Sequence, residues 1–155
     1  MKRQDISKWK AISRAIISGK ASYRALQAAE KATKRNLSTN MLEVAKELST
    51  IGGWEARRAH LAMLEAYTSL MKSKGYVRAA KDRQGVEVYI DKSKLRELML
   101  LDEDIALRIA EIKDLLSKGV PIKKVIPLAE SLLKLIKKRD GGRRVRKTTK
   151  RAQEF

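Results

Sequence analysis

Cysteine is absent from this 155-residue chain, histidine occurs once, proline twice, and the aromatic set is one phenylalanine, four tyrosines and two tryptophans. Without cysteine there is no disulfide, no thiolate nucleophile and no cysteine-built zinc site, and the redox compartment stays open. A lone His60 cannot form a histidine cluster for a metal. No uncharged run is longer than seven residues, too short for a membrane span or the apolar core of a signal peptide, so a soluble, unprocessed chain without a membrane-spanning segment is expected. The scarcity of aromatics leaves the packing to Leu, Ile, Val, Met and Ala, and the length suits one domain with a sizeable core.

The motifs of catalysis are missing too. There is no glycine-rich nucleotide loop ending in Lys-Ser/Thr, no nucleophile elbow, no His-Glu-X-X-His and no Cys or His ligand set. The acid cluster Asp102-Glu103-Asp104 is accounted for as negative charge in the first turn of a helix. The expectation is a protein that is not an enzyme, with no catalytic residue, no cofactor and no metal.

What the chain has in excess is positive charge: 36 Lys and Arg against 18 Asp and Glu, a net +18. Such a charge calls for a polyanionic neighbour, and nucleic acid is the partner it points to. Its distribution is uneven. Residues 1–40 carry +8, residues 41–137 carry +4 and residues 138–155 carry +6. A nearly neutral middle is flanked by two basic ends.

The stretch from Asp5 to Arg35 reads as a helix, N-capped by Asp5, with Lys10, Arg14, Arg24, Lys31 and Arg35 inside an arc of roughly 100° and Trp9, Ile12, Ile16, Tyr23 and Leu26 in a separate one. Gly19 marks a point where it can split or kink, since glycine costs about 1 kcal/mol relative to alanine in a helix interior. The candidate phosphate contacts on this arm are Lys8, Lys10, Arg14, Lys20, Arg24, Lys31, Lys34 and Arg35. In the tail beyond Gly141-Gly142 they are Arg143, Arg144, Arg146, Lys147, Lys150 and Arg151.

Between the ends, a break is expected over Asn36–Asn40, and Asn40 with Glu43 has capping-box spacing for a helix that stops at Gly52-Gly53. Trp54 to Lys74 reads as a long helix with Leu61, Leu64 and Met71 on one side and Met63, Tyr67 and Leu70 on another. Tyr76–Lys81 and Val86–Ile90, joined by Asp82-Arg83-Gln84-Gly85, read as a β-hairpin. A short helix capped by Asp91 or Ser93 is expected through Leu101, another from Asp102 to Gly119, and a last one beginning near Pro127, with Lys134, Lys137, Lys138 and Arg139 as cations at its C-terminus. The fold class expected is mainly α, a helical bundle body (41–137) with one β-hairpin near 76–90, a long basic N-terminal helical arm (1–40) and a basic C-terminal tail (138–155).

Two binding functions fit this pattern. The order of helix, helix, Lys-Gly-Tyr-Val and basic hairpin resembles the winged-helix transcriptional regulators of the MarR type, which implies Arg57, Arg58, Arg78, Lys81 and Arg83 toward DNA. The leading reading is different. The basic amphipathic arm, the helix-rich body and the tail from Arg143 to Arg151 together resemble, at the level of architecture, the small helical coat proteins of filamentous archaeal viruses. That resemblance implies a subunit that wraps double-stranded DNA non-specifically, packs against itself or a paralogous coat subunit in a helical filament, and resides in the virion. Outside a virus the place would be the cytoplasm or nucleoid, and RNA is the other polyanion that the charge would serve. One small core need not bury every apolar position, notably Trp54, Met63, Tyr67, Leu70, Val88 and Ile90, and some of these are the expected subunit contacts.

Overall fold

In the computed structural model, residues 13–14, 20–80 and 87–139 are described, with the backbone alone for 20, 21, 87 and 88. Four helices dominate: α1 (Tyr23–Ile51), α2 (Trp54–Lys72), α3 (Lys92–Ser117) and α4 (Ile126–Arg139). Short 3₁₀ turns over Gly75–Ala79 and Ile122–Lys124 connect them, and two three-residue strands, β1 (Lys20–Ser22) and β2 (Glu87–Tyr89), pair antiparallel.

The start of α1 is fixed by Ser22, whose extended backbone lets its Oγ accept the Ala25 N–H at 3.0 Å. Its end is the pair Gly52 and Gly53, with φ of +82° and +90°, values that side-chain-bearing residues rarely adopt. This two-residue turn sends α2 back along α1, so that Ala45 meets His60 and Lys34 meets Met71. Links from α2 to α4 run in step, Arg58 with Glu130 and Glu65 with Lys137, so those two helices are parallel. α3 runs beside α1 in the same sense, and Lys113 Nζ donates to Asn40 Oδ1 at 2.7 Å and Glu43 Oε2 at 2.5 Å. The result is a four-helix bundle with α1 and α3 pointing one way and α2 and α4 the other.

Two apolar clusters fill it. The larger, around Met41, Leu48, Met63, Leu70, Ile105, Ile112, Leu132 and Ile136, joins all four helices. α1 and α3 are longer than their partners and project past the ends of α2 and α4 by about 15 Å, at 1.5 Å per residue. Between the projecting turns sits the 3₁₀ segment, and there Leu26, Ala29, Tyr76, Ala79, Ile90, Leu95 and Leu98 form the second cluster.

Several expectations are corrected. The β-hairpin over 76–90 is not formed: Tyr76 lies buried in the 3₁₀ turn, and β2 pairs with Lys20–Ser22 instead. Between the two expected strands only a single bridge, Ala80 to Ile90, is made, and residues 81–86 lie outside those described. Tyr76 is drawn inward because its ring fills the space above the ends of α2 and α4, which a solvent-facing hairpin would leave empty. The continuous helix expected from Asp5 to Arg35 is interrupted by β1, whereas the break expected at 36–40 lies within α1. There Ser38, Thr39 and Asn40 turn their side chains back onto the carbonyls of Arg35 and Asn36 and remain helical. The boundary drawn at residue 40 therefore falls inside one helix, and Asn40 and Glu43 serve Lys113 rather than a cap. The two helices expected on either side of Asp102 are one, α3, capped at Asp91, whose Oδ1 accepts the Lys94 N–H. The Asp5 cap and the Gly19 kink lie outside the described residues.

Candidate nucleic-acid interface

Arg139, the last residue of α4, is 0% exposed and, with Tyr76, is among the largest fully buried side chains of the described residues. Its guanidinium carries five N–H groups, and each has an acceptor. Nε donates to Asp102 Oδ1 at 2.5 Å, Nη1 to Glu30 Oε2 at 2.8 Å and Ser73 Oγ at 2.5 Å, and Nη2 to Glu30 Oε1 at 3.0 Å and Asp102 Oδ2 at 3.3 Å. Tyr76 closes the group: its OH donates to Asp102 Oδ2 at 2.6 Å and its backbone N–H to Glu30 Oε1 at 2.8 Å. The guanidinium carbon lies 5.5 Å from the Tyr76 ring centre, a cation–π contact. Lys34 Nζ, 3.5 Å from Glu30 Oε2, supplies the second positive charge that two carboxylates need, and it also donates to the Met71 carbonyl at 3.1 Å. Arg78 Nη2 donates to the carbonyl of Arg139 itself at 2.9 Å, giving an acceptor at the end of α4 a partner.

The charges settle one another. Burial raises the pKa of Tyr76, helped by the adjacent Asp102 carboxylate, so the phenol stays neutral. Burial also raises Asp102, against the pull of Arg139. For Arg139 burial opposes the charge, but Asp102 and then Glu30 outweigh it and raise the pKa, so the guanidinium is fixed in its charged form. Gly75 is part of the same construction. A Cβ there would run into the Glu30 carboxylate and the Arg139 guanidinium, and its φ is +48°. The group joins α1, the end of α2, the 3₁₀ turn, α3 and the end of α4.

Around this junction the exposed charge is mostly positive. Arg24, Lys31 and Arg35 stand in one exposed row on α1, seven and four residues apart. Lys72 closes α2 and Lys74 follows it, Lys92 and Arg96 open α3, and Lys137 and Lys138 precede Arg139 on α4, all exposed. The exposed or half-exposed acids here include Asp91, committed to its cap, Glu97, and Glu103 and Asp104 beside Asp102. The opposite end of the bundle is mixed, with Glu43, Glu47, Glu55, Glu111 and Asp114 among its lysines and arginines. The backbone enters the described bundle at Lys20 and leaves it at Arg139, both at the basic end.

Of the residues singled out in sequence, Arg24, Lys31 and Arg35 share the α1 row, and Arg14 is exposed on a helical residue. Lys34 is turned inward to Glu30, its side chain 16% exposed. Lys20 lies in β1. Lys8, Lys10, Arg143, Arg144, Arg146, Lys147, Lys150 and Arg151 lie outside the described residues. The sequence reading missed the roles of Glu30, Ser73, Tyr76 and Asp102; it placed Arg139 correctly at a helix C-terminus without its buried partners, and took Asp102 for a helix-terminal acid. Asp102 lies mid-helix and is buried because Arg139 and Tyr76 meet it there. The one available signal was the apolar spacing of Leu98, Asp102, Ile105 and Ile109, which sets the carboxylate on the inward face of a single helix.

Among the described residues no helix is long and apolar enough to cross a membrane, and no group of three or more His, Asp or Glu could hold a metal ion. The chain matches no protein-family model, no curated protein and no solved structure.

Proposed function

We propose that this protein is a structural nucleic-acid-packaging subunit that holds double-stranded DNA through its phosphates, without reading sequence, by the basic end of the bundle and the two charged chain ends. The observation that carries the reading is the convergence, around the Arg139 junction, of the exposed cations of four helices with both points where the chain enters and leaves the bundle. Phosphate contacts need density and reach of positive charge rather than a preorganised donor pattern, and lysine and arginine on helix surfaces meet that need. The assembly is a filament on DNA in which subunits pack against copies of themselves or a paralogous subunit, as in a virion. Neutralisation by phosphate relieves the repulsion between subunits of +18, so binding and assembly are coupled.

The test is a salt titration of duplex binding. The logarithm of the binding constant falls with the logarithm of salt by about 0.9 per phosphate neutralised. Arg24→Gln/Lys31→Gln/Arg35→Gln, and separately removal of residues 140–155, should each lower that slope by one or more phosphate equivalents while leaving a folded bundle by circular dichroism. Slopes unchanged in both variants would overturn the reading, and preferential protection of RNA over DNA from nuclease would redirect it to RNA.

A further inference from the structure

We propose that the outer face of α2 is a homotypic interface, on which two copies of this chain pair antiparallel, α2 against α2. α2 is apolar on two sides. Ala56, Ala59, Met63, Ala66 and Leu70 face its own bundle and are buried. The other side is exposed, with Trp54 at 69% and Leu61 at 54%. The exposed residues 54, 61 and 68 form one row and 57, 64 and 71 a second, the spacing of a two-helix seam. A large apolar stripe left to water calls for a partner, and here the seam complements itself.

The register follows from the residues. In a twofold pair centred between Ala62 and Met63, Leu61 meets Leu64 of the second copy and Trp54 meets Met71 of the second copy. Arg57 lies along Thr68 of the second copy, whose hydroxyl can accept from it. Every pairing occurs twice, as an isologous interface requires. Beside the seam, Arg58 comes opposite Glu65 of the second copy, which gives two opposite-charge pairs across the axis. Both side chains are available for this, each more than half exposed and, among the described residues, paired in its own chain with a partly exposed partner, Glu130 at 3.2 Å and Lys137 at 3.9 Å. A parallel pair would put Arg57 on Arg57 inside the seam and lose this match. The charge pattern therefore selects a second copy in one orientation.

The pairing supplies a contact for the assembly proposed above, yet it is tested without nucleic acid, so each can fail alone. Because each copy carries +18, added salt screens the repulsion and should strengthen pairing while it weakens DNA binding. The chain has no cysteine, so introduced thiols report cleanly. Trp54→Cys and Met71→Cys variants, mixed and oxidised at high salt, should give a disulfide-linked dimer, whereas each alone gives little. Leu61→Glu should weaken dimerisation at least about tenfold in sedimentation equilibrium, since a charge then lies in the desolvated centre of both copies, and leave the helical signal intact. Efficient crosslinking of either variant alone would overturn the antiparallel register. A monomer at every salt and protein concentration, with no crosslinking in the mixture, would overturn the interface itself.

Discussion

The two ends of the bundle are held together by different physics. The larger cluster is aliphatic, with Leu, Ile, Val, Met and Ala from all four helices excluding water. The basic end has a smaller cluster of seven buried apolar residues among those described, and its centre is a guanidinium between two carboxylates, a hydroxyl and a phenol. An aliphatic cluster tolerates swaps that conserve volume, because its attractions have no direction. A buried ionic group fixes five chain segments in one geometry, because any missing partner strands a charge away from water. The basic end is thereby built for definite position rather than for maximal stability.

The strongest way to break that end is Arg139→Met. It leaves Glu30 with Lys34 as its counter-charge and strands Asp102 beside it without one, and the loss expected in urea unfolding is about 3–5 kcal/mol. A loss below about 1 kcal/mol would mean that the ion pairs contribute little. Adding Glu30→Leu and Asp102→Leu should recover much of it, as apolar replacement of whole buried ion groups often does. Recovery should be incomplete, since the Tyr76 backbone N–H loses its acceptor.

Gly75→Ala comes next. A left-handed backbone costs a side-chain-bearing residue about 1–2 kcal/mol, and here the methyl group also collides with the Glu30 carboxylate. A loss of at least about 2 kcal/mol is expected from thermal unfolding, together with earlier amide exchange around Tyr76 than in the aliphatic cluster. Uniform exchange across both clusters would erase the distinction between the two ends.

The smallest effect has a pH signature. Tyr76→Phe removes one hydrogen bond to a charged acceptor, about 1.5–3 kcal/mol at neutral pH. The phenol's pKa in the folded protein lies above its unfolded value of 10.0. Its contribution is therefore fully present below pH 10 and is lost as pH rises beyond it, because the unfolded chain gives up the proton first. Stability of the parent protein should fall more steeply above pH 10 than that of Tyr76→Phe, and parallel slopes in urea titrations would contradict the neutral buried phenol.

Much of the fold was legible residue by residue. The Gly52-Gly53 stop, the start of α2 at Trp54, the Asp91 cap and the last helix around Pro127 all follow from local chemistry. The hairpin misled because Tyr76-Val77 and Val86–Ile90 have strand-like composition, while the segment's apolar ring was needed elsewhere. The α1 row of Arg24, Lys31 and Arg35 was legible because helical spacing alone aligns it. The Arg139 group was not, since its members stand at positions 30, 73, 76, 102 and 139.

By itself the sequence determined the charge and its concentration at the ends, the helical content, and the fact that α2 is apolar on two sides. It could not say which side faces inward. Met63 and Leu70 are buried and Leu61 and Leu64 exposed because α1 and α4 approach one face only, and of the residues first expected at a subunit contact Trp54 is strongly exposed while Met63, Leu70 and Ile90 are buried. Tertiary structure likewise decided that Arg139, Asp102, Glu30 and Lys34 turn inward while their neighbours stay in solvent. The physical reason is the same in both cases. Periodicity fixes which residues share a face, but burial depends on what the rest of the chain brings to that face, and a charge can be buried only where its partners from distant segments converge.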